Sequence, residues 1–185
     1  MLILLDLQKE YVSNGRAFSI DQVDGCIGNC QRLLEGGRAN GLPIAHFRQL
    51  MSGPYFNPST SFSEWIEEFR PRPSEMVYER RMPSCYDNEI FAAFMESMGN
   101  PVLFLAGLTA ERACLSTIVD AAHRQHSITF IEDASASLEI GGRSSSESHG
   151  FVSDLIREYC DVISTDEALN RLTDADPRRW RAMGG

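Results

Sequence analysis

Short apolar runs recur six times along this chain, and segments with helical periodicity separate them. Each run is too short for a typical helix but long enough to cross a sheet that is covered on both faces. Such alternation predicts an α/β fold, a doubly wound three-layer sandwich with a six-stranded, mainly parallel sheet. Active sites in such folds lie at the carboxyl ends of the strands. The predicted strands are 1–6, 42–47, 76–79, 101–106, 128–132 and 161–164.

Three helices are indicated by capping residues and by apolar residues at helical spacing. Ser19 with Gln22 predicts a capping box for the first helix, and Ser144 with Glu147 predicts one for the third. The second helix is predicted to begin near Asp87. The predicted buried faces comprise Val23, Cys26, Ile27, Cys30, Leu33 and Leu34 in the first helix, Ile90, Phe91, Phe94, Met95 and Met98 in the second, and Phe151, Val152, Leu155, Ile156 and Tyr159 in the third.

The composition is typical of one globular domain. With 185 residues, 43% hydrophobic and 23% charged, the chain can bury a core without disulfides or metals. A net charge of -9 argues against a nucleic-acid partner, because phosphate binding needs a basic surface. No segment has the length of a membrane span, and Met1–Leu5 lacks the basic residues of a signal peptide. Five cysteines without zinc-finger spacing favour a reducing compartment, so we expect a cytoplasmic protein.

Two segments depart from the alternation of strands and helices. Residues 48–75 are rich in proline, serine and aromatic residues, with one short helical piece at 63–69. We expect this segment to wrap over the strand ends and to shape a pocket. Residues 174–185 read as a polar tail with a frayed end, which leaves one folded domain over 1–173.

Three motifs follow predicted strands and carry the candidate chemistry. Asp6 ends the first strand, where burial should raise the pKa of its carboxyl toward the range useful for acid–base catalysis. The stretch YERRMPSCY at 78–86 holds Arg80 and Ser84 after the third strand. GLTAERACLSTIVDAA at 107–122 combines a tight glycine turn with a helix start, whose backbone N–H groups can hold an anion.

Together these motifs resemble those of the isochorismatase-like cysteine hydrolases, over the chain from Met1 to about Leu169. Residues 5–11, LDLQKEY, resemble the family's Asp-x-Gln-x-x-Phe/Tyr, and YERRMPSCY is similar to its Lys-x-x-x-Ser-Ala-Phe. The 107–122 run resembles Gly-x-x-Thr-x-x-Cys-Val-x-x-Thr-x-x-Asp-Ala. Its matching residues are Gly107, Thr117, Asp120 and Ala121. The resemblance implies that residues 1–173 form a hydrolase domain of this type.

The family's catalytic triad is Asp, Lys and Cys, and the resemblance puts Asp6, Arg80 and Ala113 at those positions. Ala113 cannot form a thioester, so acyl transfer through that position is excluded. Arg80 keeps the positive charge but does not give up its proton near neutral pH, and beside Asp6 it would lower the carboxyl pKa and hold it ionised. Cys114 lies one residue late, and a helical step of roughly 100° turns its side chain away from the pocket.

A precedent for a missing cysteine exists among the true isochorismatases and their phenazine-pathway relatives. These read Gly-Val-Tyr-Ala-His-x-Gly, and Ala110 and the small residue at 113 agree with that pattern. Such enzymes hydrolyse an enol-pyruvyl vinyl ether by protonating its methylene with an Asp, after which water adds and pyruvate is released. By this resemblance Asp6 is the acid.

The same resemblance implies further site residues. Gln8, Gln49 and Ser84 match residues near the family's site, so we expect them, with Thr109 and Ala110, to contact substrate. The Leu108–Thr109 peptide is expected to be cis, and the amides of Thr109 and Ala113 are expected to form an oxyanion site.

Three hypotheses stay open at this point. The first is a nucleophile-free hydrolase of a small anionic molecule, the second is an inactive relative that binds a ligand, and the third is an amidase or esterase that uses Cys114. No cofactor motif is present, and the four histidines lack the Asp-x-His plus His pattern of zinc-dependent relatives, so neither a cofactor nor a metal is expected. By analogy with relatives we expect a small-molecule substrate and a homo-oligomer.

Overall fold

The computed structural model describes residues 1–99 and 101–174. Within these residues, six strands and five helices form the fold. The strands are β1 Leu2–Leu5, β2 Ile44–Gln49, β3 Met76–Arg80, β4 Leu103–Leu108, β5 Ile128–Ala136 and β6 Asp161–Ile163. The helices are α1 Asp24–Ala39, α2 Glu89–Ser97, α3 Leu115–His123, α4 Ser145–Ile156 and α5 Thr165–Asp174.

The sheet positions the candidate site. Its strand order is β3-β2-β1-β4-β5-β6, and every pair is parallel. The predicted doubly wound α/β fold is confirmed, with a sheet that is wholly parallel in the described residues. The chain runs from β1 out to β3 and then returns to β4, beside β1, where Leu5 is in register with Gly107. Such a switch point opens a crevice at the carboxyl ends of the strands.

Helices cover both faces of the sheet. Successive residues of β1 belong to different core clusters, because side chains of a strand alternate between its faces. Leu2 and Leu4 pack with residues of α1 and α5, whereas Ile3 and Leu5 pack with residues of α2, α3 and α4. Burial on both faces explains why the strands are short continuous apolar runs.

Helix starts agree with the sequence in two cases of three. The capping box of Ser144 and Glu147 is present and begins α4. The predicted box of Ser19 and Gln22 is wrong, since α1 begins at Asp24 without a side-chain cap and Gln22 has a φ of 57°. Helix α2 begins two residues after Asp87, where the side chain of Asn88 accepts a hydrogen bond from the Phe91 N–H.

Parts of the predicted buried helix faces are exposed. In α2, Phe91 and Met95 are buried but Ile90 is 74% exposed, and in α4 Phe151 is 68% exposed. Leu155 and Tyr159 are also exposed. A helix that flanks a sheet buries a narrow stripe of residues four apart, so the apolar neighbours of that stripe face outward.

The segment 48–75 lies over the strand ends, as predicted. The Leu50 N–H donates to the Arg80 carbonyl at 3.0 Å, and the Ile66 N–H donates to the Leu7 carbonyl at 2.9 Å. The predicted helical piece at 63–69 is wrong, because two short 3-10 turns, Ser61–Ser63 and Glu67–Phe69, take its place. Pro71 disfavours a helical conformation at the residue before it, which keeps the second turn short.

The predicted tail at 174–185 lies outside the described residues, apart from Asp174, which ends α5. None of the described helices is long and apolar enough to span a membrane.

Candidate active site

Asp6 lies immediately after β1, at the switch point of the sheet, and is fully buried. Its backbone has a φ of 49°, and its N–H donates to the Phe47 carbonyl at 2.9 Å. One carboxylate oxygen, Oδ2, accepts a hydrogen bond from Arg80. The other, Oδ1, is buried and has no partner among the described residues. Oδ1 is thus the carboxylate oxygen of Asp6 that Arg80 does not occupy.

Arg80 ends β3 and reaches across the end of β2 to meet Asp6. Its Nη2 donates to Asp6, and its Nη1 donates to the Met82 carbonyl at 2.6 Å. The residue is 3% exposed, and its Nε has no partner among the described residues. The structure thus brings together the two charged residues that the sequence places at the site.

The electrostatics of the pair favour a protonated carboxyl more than the sequence indicates. Burial raises the pKa of Asp6 to about 6, although the charges of Arg80 and Arg112 act in the opposite direction. Burial raises the pKa of Asp6 by more than the charge of Arg80 lowers it, so the carboxyl is mostly ionised at pH 7 and partly protonated near pH 6. An acid with this pKa can both give and take a proton near neutral pH.

Arg80→Met is expected to destabilise the fold by about 3 kcal/mol at pH 8, because it leaves the Asp6 charge buried without its partner. The loss should be smaller at pH 5. Removing the guanidinium raises the folded-state pKa of Asp6 further above its unfolded value, so stability falls as pH rises through that range. Urea unfolding at the two pH values measures this effect.

Arg48→Met provides the matched control, since Arg48 pairs with Glu79 on the surface and both side chains are partly exposed. Its expected change is within about 0.5 kcal/mol at either pH. A loss for Arg80→Met that is equal at both pH values would contradict the assigned coupling to Asp6.

The turn after β4 is irregular at the point where the family carries its nucleophile. The Leu108–Thr109 peptide is cis, as the resemblance implies. Ala110–Cys114 forms a π-helical turn, in which the Arg112 and Cys114 N–H groups donate to the Thr109 carbonyl at 3.3 and 3.1 Å. Ala110 and Ala113 are buried, and the Thr109 hydroxyl is buried without a partner among the described residues. The oxyanion role of the Thr109 and Ala113 amides stays a prediction.

Cys114 is poorly placed for a nucleophile. Its side chain is fully buried in the cluster formed with α2, α3 and α4, and its Sγ lies 3.7 Å from the Gly107 carbonyl oxygen. Burial raises the pKa of the Cys114 thiol well above its usual value, so little thiolate forms near neutral pH.

We expect iodoacetamide to leave Cys114 unmodified in the folded chain at pH 8, and to modify it in urea. Mass mapping of the alkylated peptides measures both states. Rapid labelling of Cys114 in the folded chain, with loss of an activity, would instead support the third hypothesis.

The glutamines of the predicted site have different surroundings. The Gln8 amide donates to the carbonyls of Gln49 and Ser63, at 3.1 and 2.8 Å, and its oxygen accepts from the Gln49 N–H at 2.9 Å. Both N–H bonds of Gln8 are therefore used within the protein, and its evident role is to tie the end of β2 to the 61–63 turn. Among the described residues, the Gln49 Nε2 meets only the Met51 sulfur, at 3.3 Å, which is a weak acceptor.

Ser84 has a local structural role. Its hydroxyl accepts a hydrogen bond from the Tyr86 N–H at 3.2 Å and caps the turn Cys85–Asp87. Next to it, the Cys85 N–H donates to the Thr117 hydroxyl at 3.1 Å. This bond joins the motif after β3 to helix α3.

Two charged residues of the π-turn were missed by the sequence analysis. The Arg112 guanidinium lies over the Phe18 ring, 5.5 Å from its centroid, and makes no salt bridge with any described residue. Glu111 accepts a hydrogen bond from the Leu138 N–H at 3.4 Å, while its Oε2 is buried without a partner among the described residues. Glu111 and Arg112 are adjacent residues of opposite charge in an otherwise apolar run. That pattern could have indicated them from the sequence.

The segment over the site is held by Arg16. Its guanidinium forms two hydrogen bonds with the buried Glu10 carboxylate, at 2.8 and 3.0 Å, and donates to the Pro54 carbonyl at 2.9 Å. It also lies 4.2 Å from the centroid of the Phe62 ring. Lys9, the single lysine of the chain, pairs on the surface with Glu64 at 2.7 Å and so does not replace the missing catalytic lysine.

Among the described residues, no group of three His, Cys, Asp or Glu side chains is arranged to hold a metal ion. His126 instead shares a hydrogen bond with the Tyr86 hydroxyl at 2.8 Å.

Residues 1–167 match the family model described as "Isochorismatase domain". The chain belongs to the isochorismatase family of hydrolases. It is 24% identical over 183 residues to the phenazine biosynthesis protein PhzD of Pseudomonas fluorescens, an alignment that covers 91% of this chain and 84% of that protein.

Solved structures agree with this assignment. An isochorismatase from Pseudomonas putida is 27% identical, with a TM-score of 0.81 and coverage of 90% of this chain and 88% of that one. A cysteine hydrolase from Pseudomonas syringae shares the fold, with 17% identity, a TM-score of 0.81 and coverage of 95% and 92%.

Proposed function

We propose that this isochorismatase-family member hydrolyses a small anionic substrate without a cysteine nucleophile or a cofactor, and that the substrate is an enol-pyruvyl vinyl ether. The observation that carries the proposal is the fully buried Asp6, whose pKa burial raises to about 6, in a chain with an alanine at the position that the resemblance gives to the nucleophile. The unpartnered Oδ1 supports the role of Asp6 as a general acid.

The proposed reaction needs no covalent intermediate. Protonated Asp6 gives its proton to the terminal methylene carbon, and the substrate becomes an oxocarbenium ion. Water adds to the oxocarbenium carbon, which bears the ether oxygen and the carboxylate, and loses a proton to the Asp6 carboxylate. The resulting hemiketal transfers its hydroxyl proton to the leaving oxygen and breaks down to pyruvate and an alcohol.

Charged groups around Asp6 suggest how the substrate is held. Arg80 is occupied by Asp6 and by the Met82 carbonyl, so it is poorly placed to bind a carboxylate through its Nη atoms. Arg112 lies near enough to Asp6 for its charge to lower the pKa of that carboxyl. It makes no salt bridge with the described residues. These two observations support Arg112 as the cation that binds the substrate carboxylate. The Thr109 and Ala113 amides complete the proposed anion site.

Pyruvate release from isochorismate, corrected for the rate without protein, tests the proposal. Because the acid must be protonated, kcat/KM is expected to be highest below pH 6 and to fall about tenfold for each pH unit well above 6. A rate that rises with pH over this range would contradict Asp6 as the general acid.

The second candidate is a relative that binds a small carboxylate and does not turn it over. The buried pair of Asp6 and Arg80 favours it, because an arginine at the lysine position cannot act as a proton acceptor. Calorimetric binding of a small carboxylate, without pyruvate release from isochorismate, would support this candidate over the first. The homo-oligomeric state, the cytoplasmic location and the domain boundary at 173 stay predictions.

A further inference from the structure

Residues 12–23 form the loop that precedes helix α1, and Phe18 lies in its middle. On one side of Phe18, the guanidinium of Arg16 makes two hydrogen bonds to a buried carboxylate. On the other side, the Ile20 N–H donates to the Tyr11 carbonyl at 2.9 Å. The backbone that carries Phe18 is therefore fixed on both sides.

Three aromatic neighbours fix the orientation of the Phe18 ring. Tyr11, Tyr55 and Phe56 meet it edge to face, with centroid separations of 6.4, 5.2 and 5.1 Å. Edge-to-face pairs are a favourable arrangement of aromatic rings, so these contacts favour one orientation of the Phe18 ring. Tyr11 and Phe56 are buried in the core that includes α1. The Phe18 ring is thus anchored to the core.

The Arg112 guanidinium lies over this ring, 5.5 Å from its centroid. Arg112 makes no salt bridge with any described residue. A guanidinium is attracted to the face of an aromatic ring, so Phe18 limits the positions that Arg112 can adopt. Burial raises the pKa of Asp6 and the charge of Arg112 acts against it, so the guanidinium lies close to the proposed acid.

We propose that Phe18 positions the Arg112 guanidinium for the carboxylate of the substrate, so that the 12–23 loop sets the affinity of the site for an anion. The inference rests on the proposed function in taking Arg112 as the cation that binds this carboxylate. A side chain that is already ordered loses less conformational freedom when the ligand binds, which increases the affinity. Contact through the flat face of a guanidinium also leaves its in-plane N–H groups free to donate to a carboxylate.

Phe18→Leu tests the positioning role, because it keeps an apolar side chain and removes the aromatic face. We expect KM for isochorismate to rise about threefold to tenfold, the cost of ordering one long side chain on binding. Since the lost interaction acts equally on bound substrate and transition state, kcat should stay within about twofold of the wild-type value. Phe18→Tyr keeps the ring and should keep the wild-type KM. An unchanged KM in Phe18→Leu would overturn the proposal.

A second pair of variants tests whether Phe18 acts through Arg112. Arg112→Gln should raise KM by about tenfold or more, because it removes a charged donor from the substrate carboxylate. In the double variant Phe18→Leu, Arg112→Gln, loss of the ring should add less than about twofold to that effect. An equal effect of Phe18→Leu with and without Arg112 would show that Phe18 only packs in the loop, and would overturn the proposal.

Phe62→Leu is the matched control. The Phe62 ring also faces a guanidinium, that of Arg16 at 4.2 Å from its centroid, and both phenylalanines are partly exposed. Arg16 keeps its hydrogen bonds to the buried carboxylate when this ring is lost, so KM should not change. A rise in KM equal to that in Phe18→Leu would overturn the proposal. Melting temperatures of all variants establish that they are folded.

The positioning role and the proposed reaction can fail separately. If the wild-type chain releases no pyruvate, calorimetric titration with isochorismate replaces KM for the same variants. Affinity that depends on Phe18, without pyruvate release, would retain the positioning role and remove the proposed reaction. Pyruvate release with a KM that does not depend on Phe18 would retain the reaction and remove the positioning role. Isochorismate that neither binds nor reacts would remove both.

Discussion

Asp6→Asn is expected to lower the rate of pyruvate release from isochorismate by about 10²–10⁴-fold, the usual contribution of a general acid. Asparagine has nearly the shape of aspartate and can still accept the hydrogen bond from Arg80, but it has no proton to give to the methylene carbon. The rate is measured as kcat at pH 6, where wild-type Asp6, with a pKa of about 6, is about half protonated.

Asp24→Asn is the control for this experiment, because Asp24 is an exposed residue at the start of α1. Its kcat should equal that of the wild-type chain. Asp6→Glu keeps an ionisable carboxyl on a longer side chain. A reduced rate that still falls as pH rises would show that the loss in Asp6→Asn comes from the missing acid and not from unfolding. An unchanged kcat in Asp6→Asn would remove Asp6 from the reaction.

Gly107→Ala is expected to destabilise the fold by more than about 4 kcal/mol, placing it among the largest effects of single substitutions. A Cβ at this position would lie 2.2 Å from the Leu5 carbonyl oxygen and 2.6 Å from the Leu5 nitrogen. Gly107 also has a φ of 116°, which side-chain-bearing residues rarely adopt. The obstacle is backbone of the adjacent strand β1, so relief requires the two central strands to separate.

Urea unfolding followed by circular dichroism measures this effect, with Gly28→Ala as the matched control. Gly28 lies within α1, and a Cβ there would meet nothing within 4 Å. That substitution is expected to stabilise the chain by about 0.5–1 kcal/mol, because alanine has the higher helix propensity. A Gly107→Ala variant within about 1 kcal/mol of the wild-type chain would show that β1 and β4 can move apart at little cost.

Much of the fold could be predicted because its central strands, β1 and β4, are buried on both faces and so form continuous apolar runs. Strand β5 extends beyond its apolar run, so its full length could not be predicted. Glu132 and Asp133 end its apolar run, but the strand continues to Ala136, and Ser135 pairs with Gly107 of β4. The sequence analysis therefore ended β5 at residue 132, four residues before its end in the structure.

The pairing of Asp6 with Arg80 could be predicted because both residues stand in motifs that follow strands, and parallel strands bring such residues to one edge. The hydrogen bonds of Gln8 could not be predicted from the sequence. Its amide binds backbone groups 41 and 55 residues away, and those contacts depend on the path of the 48–75 segment. Local spacing carries no information about such a path.

Arg80, described above through its contacts with Asp6 and Met82, also limits the evolutionary routes open to this chain. A change of Ala113 to Cys alone would place a thiol near a guanidinium that cannot accept its proton. A change of Arg80 to Lys alone would provide a proton acceptor with no nucleophile to serve. In a chain with cysteine at 113, the thiol proton would therefore have to go to Asp6, while Arg80 would act only through its charge.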